Sequence, residues 1–174
     1  MKNDDEINEF NLIIADIINN ETVNEMKKFR QHYDTNCFEH CKDVAFYSYL
    51  ICKKLNLDYE AAARGGMLHD LFLYDWRKKT SDRKSWHGFR HPRIALNNSN
   101  KIFILSDVEQ DIILKHMWPL TVILPKYKES FIVSCVDKYC AIKESYEHYK
   151  RSRKLQKAYR YAYVFLSLLV LKII

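Results

Sequence analysis

Five of the seven histidines in this 174-residue chain, His40, His69, His87, His91 and His116, fall where helices or their caps can converge, and two aspartates, Asp70 and Asp137, interrupt apolar runs. His69 and Asp70 stand side by side in Met67-Leu-His-Asp-Leu-Phe-Leu73, which puts an imidazole and a carboxylate about 100° apart at one level of a helix. Asp137 follows the run Phe131-Ile-Val-Ser-Cys-Val136. An ionised carboxylate in such surroundings is costly to bury unless it is paired or bound to a metal. Each histidine taken singly reads as a satisfied structural residue; the combination carries the chemistry. His40, the His69-Asp70 doublet and Asp137 lie on three different helices and point to one internal metal centre. Mixed nitrogen and oxygen donors suit Mn, Fe, Ni, Co or Zn. The five cysteines, Cys37, Cys41, Cys52, Cys135 and Cys140, contain no C-x-x-C, which argues against a thiolate centre and against a disulfide framework.

The elements that must position these groups are helical, since apolar residues recur at helical spacing nearly throughout. A first helix is predicted over about 4–19, and a Thr22/Glu25 capping box opens a second that ends near Tyr33. A third spans about 37–55 and buries Cys41, Val44, Ala45, Ser48, Ile51, Cys52 and Leu55. Asp58 caps a fourth over about 59–73. Residues 74–90 read as a polar, basic loop. Gly88 and Pro92 make one continuous helix through His87 and His91 unfavourable, so a loop and a cap are predicted to present them. Ser106 with Glu109 forms a second capping box for a helix that must end before Pro119. A helix over about 127–147 and a last one from about 149 to 174 complete one all-α domain of seven or eight helices.

Composition narrows the function further. With 48% hydrophobic and 29% charged residues the chain is an ordinary packed protein, and its length suits one core. Three glycines and three prolines are too few for the turns of a sandwich or barrel, and the glycines match neither G-x-G-x-x-G, a P-loop nor a G-x-S-x-G elbow. The net charge of +6 is unevenly spread: residues 77–93 hold seven Lys/Arg against Asp82, and residues 138–160 hold eight against Glu144 and Glu147. Such local basic fields attract small anions, while the acidic remainder disfavours wrapping of long nucleic acid, so no specific nucleic acid is expected. The acidic start, Met1-Lys-Asn-Asp-Asp-Glu6, is not a secretory signal, and with unpaired thiols it indicates the cytoplasm. The apolar run Tyr161–Ile174 is shorter than the roughly 20 residues a bilayer crossing needs. A buried helix or a homo-oligomer contact is the expectation, ahead of a membrane-facing tail.

The pattern His40, His69-Asp70, Asp137 resembles the HD-domain metal-dependent phosphohydrolases. The blocks Arg64-Gly-Gly-Met-Leu-His-Asp-Leu-Phe-Leu-Tyr-Asp-Trp76, His87-Gly-Phe-Arg-His-Pro-Arg-Ile-Ala-Leu96, His116-Met-Trp-Pro-Leu120 and Asp137-Lys-Tyr-Cys140 look like those of a group of small bacterial HD proteins. The resemblance covers about residues 30–145. It implies a compact single HD-type helical bundle across 1–174, with His40, His69, Asp70 and Asp137 as metal ligands. Two-metal members carry extra histidines where this chain has His91 and His116, so two ions are implied. His87 is left three roles: ligand, holder of a third ion, or orienter of substrate. The implied reaction is hydrolysis of a phosphomonoester or phosphodiester in a nucleotide-like small molecule by metal-activated water, with Asp70 as the catalytic, bridging carboxylate. Arg64, Arg93 and Lys138 are candidates for the non-reacting phosphate oxygens and Trp118 for a base; Arg64 equally suits a structural ion pair and Trp118 the core. Asp75 and Glu39 read as acceptors for imidazole N–H groups or as surface carboxylates. The rival reading is a non-hydrolytic nucleotide-sensing module that uses the same pocket.

Overall fold

The computed structural model describes residues 2–33, 35–78, 87–150 and 156–173. The chain opens with α1 (Lys2–Ile13), α2 (Ala15–Ile18), α3 (Glu21–Asn24) and a 3-10 turn (Glu25–Lys28). The single helix predicted over 4–19 is therefore broken at Ile14. Asn20, not Thr22, caps α3: its side-chain oxygen accepts from the backbone N–H of Thr22 at 2.9 Å and Val23 at 3.3 Å. It precedes Thr22, and its carbonyl reaches the first orphan donors of the helix. The chain then forms a small antiparallel hairpin, β1 (Arg30–His32) and β2 (Thr35–Asn36), where the sequence predicts helix up to Tyr33.

Asn36 ends β2 and caps α4 (Cys37–Lys54) through the Glu39 N–H at 2.9 Å. Cys41, Val44, Ala45, Ser48, Ile51 and Cys52 are buried as predicted, while Leu55 stays 42% exposed beyond the helix end. There Asn56 turns left-handed (φ 53), and Leu57 N–H bonds the Cys52 carbonyl at 2.9 Å. That closure satisfies carbonyls the helix would otherwise leave open.

Asp58 caps α5 (Tyr59–Leu68) on the Ala61 N–H. Two glycines let α5 lie close to its neighbours. A Cβ on Gly66 would stand 2.9 Å from Ala45 Cα, and one on Gly65 would stand 2.9 Å from Ile112 side-chain carbons. The helix stops at Leu68, short of the predicted 73, so the His69-Asp70 doublet sits on the turn that leaves it. Next come α6 (His87–Asn100), α7 (Asp107–Lys115) with the predicted Ser106/Glu109 capping box, α8 (Lys128–Lys150) and α9 (Gln156–Ile173). Of the basic loop predicted over 74–90, residues 79–86 lie outside the described residues, and 87–90 belong to α6 instead.

Helices α4 and α5 form the centre. On one side Phe10, Ile14, Ile17 and Met26 close over Tyr49, Met67, Leu68, Leu71 and Phe72. On the other, Val44, Ile51, Cys52 and Ala62 meet Ile112 of α7 and Val133, Val136 and Cys140 of α8. Each fully buried Val, Leu, Ile, Phe or Met among them contributes about 1.5–3 kcal/mol. α9 packs on α8 through Tyr163, whose ring stacks on Tyr139 and Tyr146. Its other face is open, with Tyr161, Phe165 and Leu168 exposed, so α9 is not the buried helix of the sequence reading. No described helix is long and apolar enough to cross a membrane.

Candidate metal centre

Four imidazoles converge on two carboxylates, and each is oriented in the same way. His40, one turn into α4, is fully buried; its Nδ1 lies 2.8 Å from Glu144 Oε1 and its Nε2 3.1 Å from Asp137 Oδ1. His69 follows the last turn of α5 and His116 follows the last turn of α7. Each directs Nδ1 to the carbonyl three residues back, Gly66 at 2.7 Å and Ile113 at 2.9 Å, using a helix-end carbonyl left without a backbone partner. His91, inside α6, directs Nδ1 to the His87 carbonyl at 2.9 Å. With every Nδ1 committed as a donor, every Nε2 is left turned toward the carboxylates, the arrangement that such outer acceptors produce at metal sites.

The Nε2 atoms meet around Asp70 and Asp137. His91 Nε2 is 3.1 Å and His116 Nε2 3.5 Å from Asp70 Oδ1, while His69 Nε2 is 3.5 Å from Asp70 Oδ2 and 3.7 Å from Asp137 Oδ1. His40, His69 and Asp137 form one group of donor atoms within 4.8 Å, and His69, Asp70 and His116 form another. The Nε2 atoms of His91 and His116 approach to 2.7 Å. Two lone pairs facing each other at that distance need a cation or a proton between them. His69 Nε2 and Asp70 Oδ1 are buried without a hydrogen-bond partner, a cost that metal ligation removes. This donor set fits a divalent ion.

The electrostatics of the cluster follow from the same neighbours. Burial pushes the His40 imidazole down, but Asp137 and Glu144 outweigh it and hold His40 well above its ordinary range. Burial is likewise outweighed at His69, by Cys41 and Asp70, and its pKa is raised. At Asp70 and Asp137 burial is opposed by the surrounding imidazoles, and both carboxyls are held well below the usual range. His116, with burial dominant, falls to about 4 and is neutral at pH 7.

The centre opens into a cavity of about 240 Å³ lined by Asp70, His91, His116, Asp137, His87, Lys138, Gly88, Met117, Trp76 and Ala141, with Gln31 and His32 from β1. His87 and His91 stand on one helix with stacked rings 4.5 Å apart, which corrects the predicted loop and cap. Pro92 is tolerated because it lies in the second turn of described helix, where one backbone bond is lost, and its i−4 partner is Gly88. His87 faces the cavity wall, with Nδ1 3.0 Å from the Tyr74 hydroxyl and its ring stacked on Trp76.

The substrate candidates divide. Lys138 lines the cavity, its Nζ donating to the His116 carbonyl at 2.7 Å and to Ser134 Oγ at 3.2 Å. Arg64 is placed elsewhere: it forks onto Asp16, reaches Glu109 at 2.9 Å and donates to the Ile13 carbonyl, tying α2 and α7 to α5. Arg93 is exposed on α6 and lines a separate cleft. Trp118 packs its ring against Phe131 of α8, and Trp76 supplies the aromatic wall instead. Asp75 is held by Arg77, and Glu39 is exposed.

Sequence reasoning missed Glu144, Gln31 and His32. Glu144 stands two turns beyond Asp137 on α8 and looked like one charge in a basic stretch; the signal was its i+7 spacing from Asp137, which puts both on one face. Gln31 donates its amide to Asp70 Oδ2, and the hairpin that brings it there carries no legible strand pattern.

A sequence model of the HD domain matches residues 37–142, well over half of the chain, and the chain belongs to that family. HD domains are metal-dependent phosphohydrolases as a superfamily and bind divalent ions, and the histidine and aspartate groups described above fit that role. No curated protein and no solved structure matches the chain.

Proposed function

We propose that this protein hydrolyses a phosphomonoester or phosphodiester of a nucleotide-like small molecule with two divalent ions bound. The observation that supports this best is the common orientation of His40, His69, His91 and His116, with Nδ1 tied down and Nε2 turned to Asp70 and Asp137. His40, His69 and Asp137 would hold one ion, His91 and His116 the other, with Asp70 shared between them. Bound there, the ions supply a water of lowered pKa and neutralise charge on the phosphoryl oxygens.

The chain's own residues do the rest. Gln31 fixes one oxygen of Asp70 and leaves the other toward His91 and His116. Lys138 sits at the cavity with its ammonium held in place, suited to a non-bridging phosphate oxygen. Trp76 and His87 offer a stacked aromatic wall for a flat group such as a base. His87 orients substrate in this reading. The open stripe on α9 is assigned to a contact with a second copy, and the five free thiols suit the cytoplasm.

Metal analysis of protein purified without added metal, paired with a screen of nucleoside monophosphates, cyclic nucleotides and dinucleotides, tests the proposal. About two ions per chain and release of phosphate or a phosphomonoester are expected. Tight nucleotide binding with no turnover under Mn, Fe, Ni, Co and Zn would favour the sensing module instead.

A further inference from the structure

The α7–α8 loop carries an apolar tip that nothing among the described residues covers. Val122 is 93% exposed, Leu124 65%, Ile123 54% and Leu120 50%, and Phe89 at the start of α6 is 53% exposed. Loop and helix are in contact, because a Cβ on Gly88 would lie 3.1 Å from Leu120 Cδ2. Large side chains exposed singly mean little, but a cluster of five on adjoining segments marks an interaction surface.

Beside this tip runs a cleft of about 390 Å³, separate from the metal cavity. Ile94, Leu114, Pro92 and Ile123 give it an apolar lining, and Arg90, Arg93 and Asn97 line it from the outward side of α6. No acidic residue lines it. Both arginines are exposed, and neither makes an ion pair or hydrogen bond among the described residues. Two uncommitted guanidinium groups at an apolar cleft favour phosphate, which they can bind through paired N–H donors.

We propose that this face docks on an anionic phospholipid surface, with Val122 and Leu124 among the acyl chains and Arg90 and Arg93 on lipid phosphates. A soluble anion would use the arginines but leave the aliphatic tip without purpose; a neutral apolar partner would do the reverse. An anionic lipid surface uses both, since it presents phosphate and hydrocarbon within a few ångströms. No described helix spans a membrane, so the attachment is peripheral and reversible. The loop and the start of α6 also form the rim of the metal cavity through Met117 and Gly88, so docking would set that mouth close to the lipid headgroups.

Co-sedimentation of the full chain with vesicles tests this without reference to hydrolysis. Binding to vesicles with about one third phosphatidylglycerol, absence of binding to phosphatidylcholine alone, and weakening at high salt are expected. Arg90→Gln with Arg93→Gln should lower partitioning about thirtyfold, from roughly a fivefold contribution per cation near such a surface. Val122→Asp with Leu124→Asp should lower it at least tenfold, and both pairs are exposed, so circular dichroism and the melting temperature should stay at wild-type values. Failure of the wild type to bind anionic vesicles overturns the proposal. So does wild-type binding by the Asp variant, which would reduce the arginines to a plain anion site. A protein partner that occupies the tip while vesicles do not would overturn it as well.

Discussion

Replacing Glu144 by Gln should weaken metal binding in a way that depends on pH. Glu144 is 9% exposed, holds His40 Nδ1 at 2.8 Å, and has its other oxygen buried without a partner, so its charge is directed at His40. Gln can still accept the Nδ1 proton, so the change removes charge and keeps the contact. Losing such an outer acceptor typically costs ten- to a hundredfold in affinity, about 1.4–2.7 kcal/mol. Protonation works the other way. In the metal-free protein His40 is held protonated well above its ordinary range, against burial, by Asp137 and Glu144, and a bound ion must displace the Nε2 proton. Wild-type affinity therefore rises with pH until the raised pKa of His40 is passed. With Glu144 neutralised that pKa drops, proton competition at low pH is relieved, and the deficit shrinks. Competition with a chromophoric chelator for Zn or Co at pH 6 and pH 8 measures both effects. The variant should fall furthest behind at pH 8. Wild-type affinity at both pH values would refute the outer-ligand role, and an equal deficit at both would refute the proton coupling.

Four further outcomes follow from the geometry. Arg64→Ala should lower stability by about 1–3 kcal/mol, chiefly through the buried Glu109 it strands, roughly 3–10 °C in melting temperature for a chain of this size, with kcat unchanged; a tenfold loss of kcat at unchanged stability would restore it to substrate binding. Gln31→Ala should cost about tenfold or more in metal affinity, read by titration, because Asp70 loses the amide that fixes its rotamer. Asp70→Asn should fall to background, at least about a hundredfold in kcat, whereas His87→Ala, on the cavity wall with Tyr74 and Trp76, should keep turnover and mainly raise KM; steady-state kinetics on the substrate found by screening compares them. Stripping metal should lower the melting temperature by several degrees, since ligands from α4, α5, α6, α7 and α8 lose the charge that joins them; an unchanged curve after verified removal contradicts a clamping role.

The sequence displayed the helices that carry the histidine and aspartate cluster better than the shell around them. His40, His69, Asp70, His91, His116 and Asp137 were legible because a polar residue inside an apolar run has few cheap explanations, and all six meet in the structure. The Ser106/Glu109 box and Asp58 were legible because capping depends on neighbours in sequence. What was lost is non-local. The β1–β2 hairpin is too short to show alternation, so Gln31 and His32 stayed invisible. Arg64 stands beside the doublet in sequence but points to Asp16 on α2, a partner only the fold supplies. Pro92 and Gly88 suggested a broken helix when taken as local propensities, yet one missing backbone bond near a helix start is a small loss where His91 gains a place on Asp70.

Anomalous diffraction from crystals grown with Mn tests the central claim most directly. Two peaks are predicted in each chain, one against the Nε2 atoms of His40 and His69 with Asp137, the other against those of His91 and His116, with Asp70 touching both. A single peak would contradict the dinuclear assignment, and no peak at this cluster in metal-saturated crystals would contradict the metal centre itself.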